Sequence, residues 1–270
     1  MTAGPPANPP AHWYPDPTDA GSLRYWDGGS WTAHTYPAAG YVADAGQAAP
    51  AGLGSLAMAV RVLVGLCGLA ALFDLGVQAW GGVVISAAAA DPAHLEIQLL
   101  DLYDLLDVAS VLPALALALA AGVVWLVWQH RLASTVPRAA LRRSPGWHVW
   151  SWLIPIVNLL FPFQNMADLH RALTPVNGSA RAARLPLSFR FWWLAWLASS
   201  AFTFGAARVS SMPDVTLATL AQASVVAAIG DGLEIIAAVL AIRIVGQLSR
   251  AALLGQRTAP AQLTALNAAG

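Results

Sequence analysis

Acidic side chains interrupt stretches of this sequence that are otherwise apolar. Asp231 and Glu234 are three positions apart, and Asp104 and Asp107 repeat that spacing. Residues three apart share one face of a helix. An ionisable group inside a membrane is costly and marks a functional candidate, such as a proton or cation site. The simpler interpretation is that the carboxyls are neutral and hydrogen-bonded between helices, or paired with Arg208. The predicted intramembrane polar residues are Asp74, Asp107, Asp231, Glu234 and Arg208.

Tyr103-Asp104 and Gly230-Asp231 are similar to the paired aspartates of intramembrane aspartyl proteases, where two carboxyls share a proton and activate water. The pattern is incomplete, because Ala228 replaces the first glycine of Gly-x-Gly-Asp. The sequence also has no phosphate-binding glycine loop, no histidine-rich metal motif and no Gly-x-Ser-x-Gly. We therefore predict no catalytic residues, no metal and no cofactor, so the chain is expected not to be an enzyme. An aspartyl protease is a remote alternative.

The elements that carry these acids are predicted to be membrane-spanning helices. The 270 residues are 57% hydrophobic and 10% charged, whereas soluble domains are about 25% charged. A span needs roughly 20 apolar residues, and four segments suit one: 56–80, 108–128, 191–207 and 221–245. We predict a mainly α fold, a four-span transmembrane helical bundle over residues 53–250, followed by a C-terminal tail, 251–270. The net charge of zero gives no reason to expect a nucleic-acid partner.

Residues 147–163 are apolar but carry Pro155, Asn158 and Pro162. As a straight helix the segment would reach about 25 Å, short of the ~30 Å hydrocarbon core. If it does not cross, thirteen of the 14 basic residues lie inside and only Arg208 lies outside; if it crosses, the split is seven and seven. The positive-inside rule favours the first arrangement. We predict a re-entrant or interfacial helix pair, broken near Pro155, on the cytoplasmic side, with Asn158 bonding a carbonyl freed by a proline. Both chain termini are then cytoplasmic.

The same segment carries a composite motif. Its elements are Pro145, Gly146, Trp147, Pro155, Asn158, Pro162 and Gln164, with Asp168 near the end. The combination resembles the bacterial membrane family called domain of unknown function 4328, common in actinobacteria, over about residues 53–250. The resemblance implies a multi-pass protein of the bacterial plasma membrane and brings no known activity.

Residues 12–36 predict a very small aromatic β-hairpin module. Short strands at Trp13-Tyr14, 23–26 and 31–34 are separated by a turn at 15–21 and by Asp27-Gly28, which suits a tight turn. The aromatic and basic residues of its predicted face are Trp13, Tyr14, Arg24, Tyr25, Trp26 and Trp31. The pattern resembles another family, domain of unknown function 2510. A disordered proline-rich start, 1–11, is expected before the module, and a flexible linker, 37–52, after it.

These features support two functional hypotheses. The aromatic residues are either the core of the module or a face that binds an extended, proline-rich peptide. In the second case the chain is a non-enzymatic membrane anchor or adaptor for a cytosolic partner. The alternative is a small transporter or a proton- or cation-coupled protein that uses Asp231 and Glu234. Anionic lipid headgroups are predicted partners of Arg138, Arg142, Arg143, Arg181 and Arg184. The sequence leaves the oligomeric state open.

Overall fold

The computed structural model describes residues 11–37, 52–94, 96–174 and 184–268, without side-chain detail at 20, 21, 37 and 255–268. The expected disordered start, nearly all of the expected linker, and Arg181 lie outside these residues. These residues form a small sheet and a helical bundle.

The N-terminal module is a three-stranded antiparallel sheet. Its strands are β1 (His12–Asp16), β2 (Asp19–Trp26) and β3 (Trp31–Pro37), in the order β1-β2-β3. The predicted turn over 15–21 is too long. Asp16 Oδ1 accepts hydrogen bonds from the backbone and hydroxyl of Thr18, at 2.8 and 2.7 Å, and closes a tighter turn. The turn at Asp27-Gly28 is confirmed, with Gly28 at φ 100°, where glycine is favoured.

Within the described residues, seven α-helices follow the sheet. They are α1 (Leu53–Ala90), α2 (Ile97–Ser134), α3 (Trp147–Leu153), α4 (Pro155–Asn158), α5 (Phe161–Leu173), α6 (Leu187–Ser210) and α7 (Leu217–Ala268). Each predicted span lies within one long helix. The helices extend beyond the spans at both ends. The expected tail is correspondingly helical as far as Ala268.

The four long helices form an up-and-down bundle. Helix α7 packs against α1 and α6, and α1 also packs against α2. The largest buried core joins the N-terminal parts of α1 and α6 to the C-terminal parts of α2 and α7. We call this the packed end; its core includes Leu53, Trp128, Phe189, Leu248 and, from α5, Leu169. Helix α2 therefore ends, and α6 begins, at the same end of the bundle.

Three of these helices are long and apolar enough to cross a membrane. They are α1, α2 and, over residues 217–254, α7. At most 28% of the most apolar window of each is buried within the protein, so most of that surface requires a non-aqueous neighbour. Helix α6 has 24 residues, or about 36 Å at 1.5 Å per residue, but it is richer in tryptophan, serine and arginine and is not among the three. The chain is thus a helical membrane protein by length and composition.

Glycines allow the long helices to approach closely. A Cβ added at Gly68 would lie 3.2 Å from Ala238 Cβ, and one at Gly230 would lie 2.9 Å from Thr203 Oγ1. A Cβ at Gly81 would overlap the ring of Tyr103. Small residues at helix crossings are the usual way for membrane helices to increase their packing contacts.

Residues 147–163 fold as short helices rather than as one straight helix. Helix α3 ends at Leu153, and Ile154 is extended, with φ −98° and ψ 113°. The residue before a proline disfavours the helical region, so the break falls one residue before Pro155. Pro155 begins α4, and Pro162 lies in the first turn of α5, where neither disrupts a helix. The two prolines thus set helix starts.

Candidate functional site

A polar network joins α1, α2 and α7 away from the packed end, and we call this region the acidic end. Gln78 donates to Asp107 Oδ1 at 2.7 Å and accepts from the Tyr103 hydroxyl at 3.1 Å. The Ser110 hydroxyl donates to Asp74 Oδ1 at 2.8 Å. Two of the predicted intramembrane acids therefore have neutral hydrogen-bond partners, as the simpler interpretation expected.

Asp231 and Glu234 differ from those two acids. Asp231 is 6% exposed, and its Oδ2 is buried without a hydrogen-bond partner among the described residues. Glu234 likewise has no hydrogen bond or ion pair among the described residues. The alternative of a pairing with Arg208 is not seen among the described residues, where Arg208 is exposed and its guanidinium lies 3.5 Å from the hydroxyl of Ser211. Asp74 and Glu234 are near enough to Asp231 to interact with it electrostatically, so these acids form a cluster.

This geometry does not support the aspartyl protease alternative. Asp104 is exposed, whereas Asp231 is buried within the bundle. The described residues show no contact between the two carboxyls. A shared proton requires carboxyl oxygens in direct contact.

An open cavity of about 370 Å³ lies between the acidic cluster and the packed end, and its lining includes the exposed residues Ala118, Gly122 and Leu153. We call it the central cavity. Glu234 lies in its wall, as does Cys67 from α1. Its remaining wall consists mostly of alanine and tryptophan side chains from α2, α3, α6 and α7. Of the predicted polar residues, only Glu234 lines the central cavity.

Gln129 organises the tryptophans beside the central cavity. It is fully buried, and its Oε1 accepts from the indole N–H groups of Trp125 and Trp152, at 3.0 and 2.9 Å. Its amide nitrogen lies 3.4 Å from His148 Nδ1. Helix α2 is thereby joined to α3. Sequence reasoning missed Gln129; the signal was a lone amide four residues after a tryptophan in an apolar run.

Asn165 and Asp168 connect the short helices and the loop before them. The amide of Asn165 in α5 donates to the Trp147 carbonyl at 3.2 Å and to Ser151 Oγ at 3.1 Å, both in α3. Asp168 forms ion pairs with Arg142 and Arg171 at 3.3 and 3.1 Å. Helix α5 therefore lies beside α3, and the chain turns back on itself between them.

Comparison with known families agrees with this architecture. Residues 91–250, more than half of the chain, match the family described as Domain of unknown function (DUF4328). The chain belongs to this family. The match begins after α1, whereas the predicted resemblance began at residue 53. Residues 11–44, which include the whole sheet, match the family described as Protein of unknown function (DUF2510). Neither a curated protein nor a solved structure matches the chain.

Most residues of the DUF4328 motif have structural roles. Pro145 accepts from His130 through its carbonyl at 3.1 Å, when that ring nitrogen carries the proton, and Gly146 precedes α3. Gln164 accepts from Arg143 at 2.7 Å. The prediction for Asn158 is wrong, because no carbonyl accepts from its side chain in the described chain and its Oδ1 is buried without a partner. The motif thus builds the turn from α3 to α5.

His148 is the titratable group most affected by this packing. It is 1% exposed and lies outside the membrane-length helices. Burial lowers its pKa to about 4, and His130, Arg143 and Arg138 act in the same direction. The imidazole is therefore neutral at pH 7 and can act as a hydrogen-bond partner of Gln129.

The arginines expected to bind lipid headgroups divide into two groups. Arg143 bonds Gln164 and lies 3.5 Å from the centroid of the Phe161 ring, and Arg138 donates to the Leu141 carbonyl at 2.7 Å. Burial lowers the pKa of Arg143. Arg142 and Arg184 remain exposed. Arg138 and Arg143 contribute to the fold. Arg142 is accessible although it also pairs with Asp168, and Arg184 is accessible.

The DUF2510 sheet does not bring the six predicted residues to one face. Opposed residues in an antiparallel pair share a face. Trp13 is opposite Tyr25, and its ring also contacts Tyr36. On the other face, Trp31 contacts Tyr14 and Trp26, with ring centroids 6.2 and 5.3 Å apart. The prediction of a single aromatic face is therefore wrong, because strand alternation divides consecutive aromatic residues between the two faces of the sheet.

Arg24 has a structural role in the sheet. Its Nε lies 2.9 Å from Asp16 Oδ2, and Asp16 is buried. Hydrogen bonds from Thr18 lower the pKa of Asp16, and Arg24 adds to the effect. Arg24 is therefore a partner of the β1–β2 turn. The aromatic triad on its face, Tyr14, Trp26 and Trp31, is the stronger binding candidate.

Proposed function

We propose that this DUF4328 protein is a non-enzymatic membrane anchor or adaptor with four spans in the bacterial plasma membrane. The observation that carries the proposal is the joining of a complete aromatic sheet, residues 12–37, to the helix that begins at the packed end. Helix α1 begins there, and residue 248 of α7 lies there as well. The sheet and the C-terminal part of α7 are thus attached to the same end of the bundle. The arginine distribution supports a cytoplasmic location for that side.

Residues 147–163 form a re-entrant hairpin in this proposal. Support comes from α2 ending, and α6 beginning, at the packed end, so a crossing between them is not needed. The turn of the hairpin is apolar and exposed: Ile156 is 83% exposed, and Leu153 and Leu160 are more than half exposed. Apolar side chains in such a turn are stabilised by lipid. Helix α6 is then the fourth span, and Arg142 and Arg184 lie where they can bind anionic headgroups.

The sheet binds an extended proline-rich peptide through Tyr14, Trp26 and Trp31. Aromatic faces suit such peptides because their rings pack against proline in a low-entropy conformation. The probe is a fluorescent peptide, MTAGPPANPP, the first ten residues of the chain. It is titrated against the protein that lacks residues 1–10, in nanodiscs, with fluorescence anisotropy as the readout.

We expect saturable binding that Trp31→Ala abolishes. The matched control is Tyr36→Ala, because Tyr36 is 48% exposed on the opposite face. Equal binding by both variants would contradict the proposal that this face of the sheet binds the peptide. Binding that only Tyr36→Ala abolishes would place the site on the other face and contradict the triad.

A second candidate function, a small transporter or proton- or cation-coupled membrane protein, is favoured by the unpartnered carboxyls of Asp231 and Glu234. A buried carboxyl without a partner is costly in stability, and function is a common reason to retain one. The test is proton or monovalent-cation flux in proteoliposomes. We expect Asp231→Asn and Glu234→Gln to abolish flux, while Asp104→Asn, at an exposed acid, keeps it. Equal flux through all three variants would exclude these acids from a pathway.

A further inference from the structure

The central cavity exists because small residues face one another across the bundle. Helix α2 contributes Ala118, Ala121 and Gly122, and α7 contributes residues 237, 238 and 241. These positions are at helical spacing, so each helix presents a continuous shallow face. The volume of about 370 Å³ lies within the range of roughly 300–1,000 Å³ of small-molecule sites.

Tryptophans line one end of the central cavity. They are Trp125, Trp152, Trp192 and Trp196. The indole N–H groups of Trp125 and Trp152 both donate to Gln129, which is not among the lining residues. The N–H groups of these two tryptophans are therefore already engaged, so the two side chains offer the cavity ring carbon. The negative electrostatic potential of an indole face attracts cations.

Glu234 supplies a carboxyl to the same space. It has no hydrogen bond or ion pair in the described part of the chain, and no arginine lines the cavity. Its electrostatic neighbours Asp74 and Asp231 are also acids. A carboxylate can ionise in such apolar surroundings only when a counter-charge lies beside it. A bound cation would supply that counter-charge to Glu234.

The walls favour an organic cation over a metal ion. Within the described residues, no group of three histidine, cysteine, aspartate or glutamate side chains could hold a metal. The lining is mainly alanine, leucine and tryptophan, which a hydrated ion would contact unfavourably. A cation with a large apolar body can contact these walls and still place its charge near Glu234.

We propose that the central cavity binds a lipophilic organic cation of the aryl quaternary ammonium class. Glu234 is the counter-ion, and the tryptophans contact the aromatic and methyl groups. The inference deepens the second candidate function and rests on its assignment of Glu234, but binding can be measured without any flux. Loss of flux with retained binding would remove the transport function and leave the site; loss of binding would remove the site whatever the flux.

The test uses full-length protein in detergent, immobilised on scintillation beads, with tritiated benzyltrimethylammonium as the probe. Neopentylbenzene is the competitor, because it has the same shape with carbon in place of the charged nitrogen. We expect saturable binding and competition by neopentylbenzene at least tenfold weaker than by the unlabelled cation. Equal competition by the neutral compound, or no saturable binding, would overturn the proposal.

Two variants test the two parts of the site independently. Glu234→Gln removes the charge, and Ala118→Leu fills the cavity from α2 without a change of charge. Each should weaken binding at least tenfold, while Asp104→Asn, the exposed acid, leaves it unchanged. Elution volume and thermal midpoint report folding. If Glu234→Gln does not fold, Ala118→Leu still decides the question, and wild-type affinity in either folded variant contradicts the site.

Discussion

Gln129 provides the most direct test of how the packed end is held together. Replacement by methionine keeps the length of the side chain and removes its polar atoms. Both indole N–H donors, from Trp125 and Trp152, would be left buried without their acceptor, and His148 would lose its amide partner.

The structure sets the size of the expected effect. An orphaned buried donor costs about 1–3 kcal/mol, so two donors give about 2–6 kcal/mol. Hydrogen bonds measured inside membranes average only about 0.6 kcal/mol, which for three bonds gives about 2 kcal/mol. The two estimates overlap near 2 kcal/mol, and we take that as the minimum loss in the free energy of unfolding for Gln129→Met.

The assay is thermal unfolding of the purified full-length protein in detergent, followed by tryptophan fluorescence. A loss of 2 kcal/mol should lower Tm by at least about 4 °C in a domain of this size. The control is Gln98→Met, because Gln98 is exposed near the start of α2 and surface changes stay within about 0.5 kcal/mol. Equal Tm values for the two variants would show that the indoles find other partners and would refute the reasoning.

The folded pKa of about 4 for His148 lies below its ordinary 6.5, so the unfolded chain binds more protons; stability should be constant above about pH 6.5 and fall by about 3 kcal/mol towards pH 4, and His148→Gln should remove that slope in a denaturant titration. Gly81→Ala should lower stability by about 1–3 kcal/mol through overpacking, whereas Gly76→Ala, with open space around it, should not. With Cys67→Ser as background, a cysteine at Ala180 should react with an impermeant thiol reagent only after cells are opened; labelling of intact cells would mean that residues 147–163 cross the membrane.

Several features of the fold could be predicted from local sequence. Long apolar runs of about 20 residues indicated the helices, because a helix satisfies all of its backbone hydrogen bonds within its own segment in lipid. The break before Pro155 and the turn at Gly28 followed from backbone geometry, which proline and glycine restrict or permit on their own. These inferences needed no knowledge of what lies opposite each residue.

The helix ends and the sheet faces were predicted less well. The four predicted spans are shorter than the helices that contain them. Hydrophobicity marks the part of a helix that suits lipid, and it does not mark where helical hydrogen bonding ends. The aromatic residues of the module were grouped by their closeness in sequence. Strand pairing then placed Trp13 and Tyr25 on one face and Tyr14 and Trp31 on the other.

The sequence alone determined which stretches are helical and apolar, where the chain must turn, and that acids lie inside apolar runs. Only the tertiary structure decided which acids have partners: Asp74 and Asp107 do, while Glu234 faces a cavity. It also decided that Gln129 accepts from two tryptophans. The physical reason is that backbone preference and hydrophobicity belong to single residues and short windows. Hydrogen-bond partners and empty space belong to surfaces that meet only when distant helices pack.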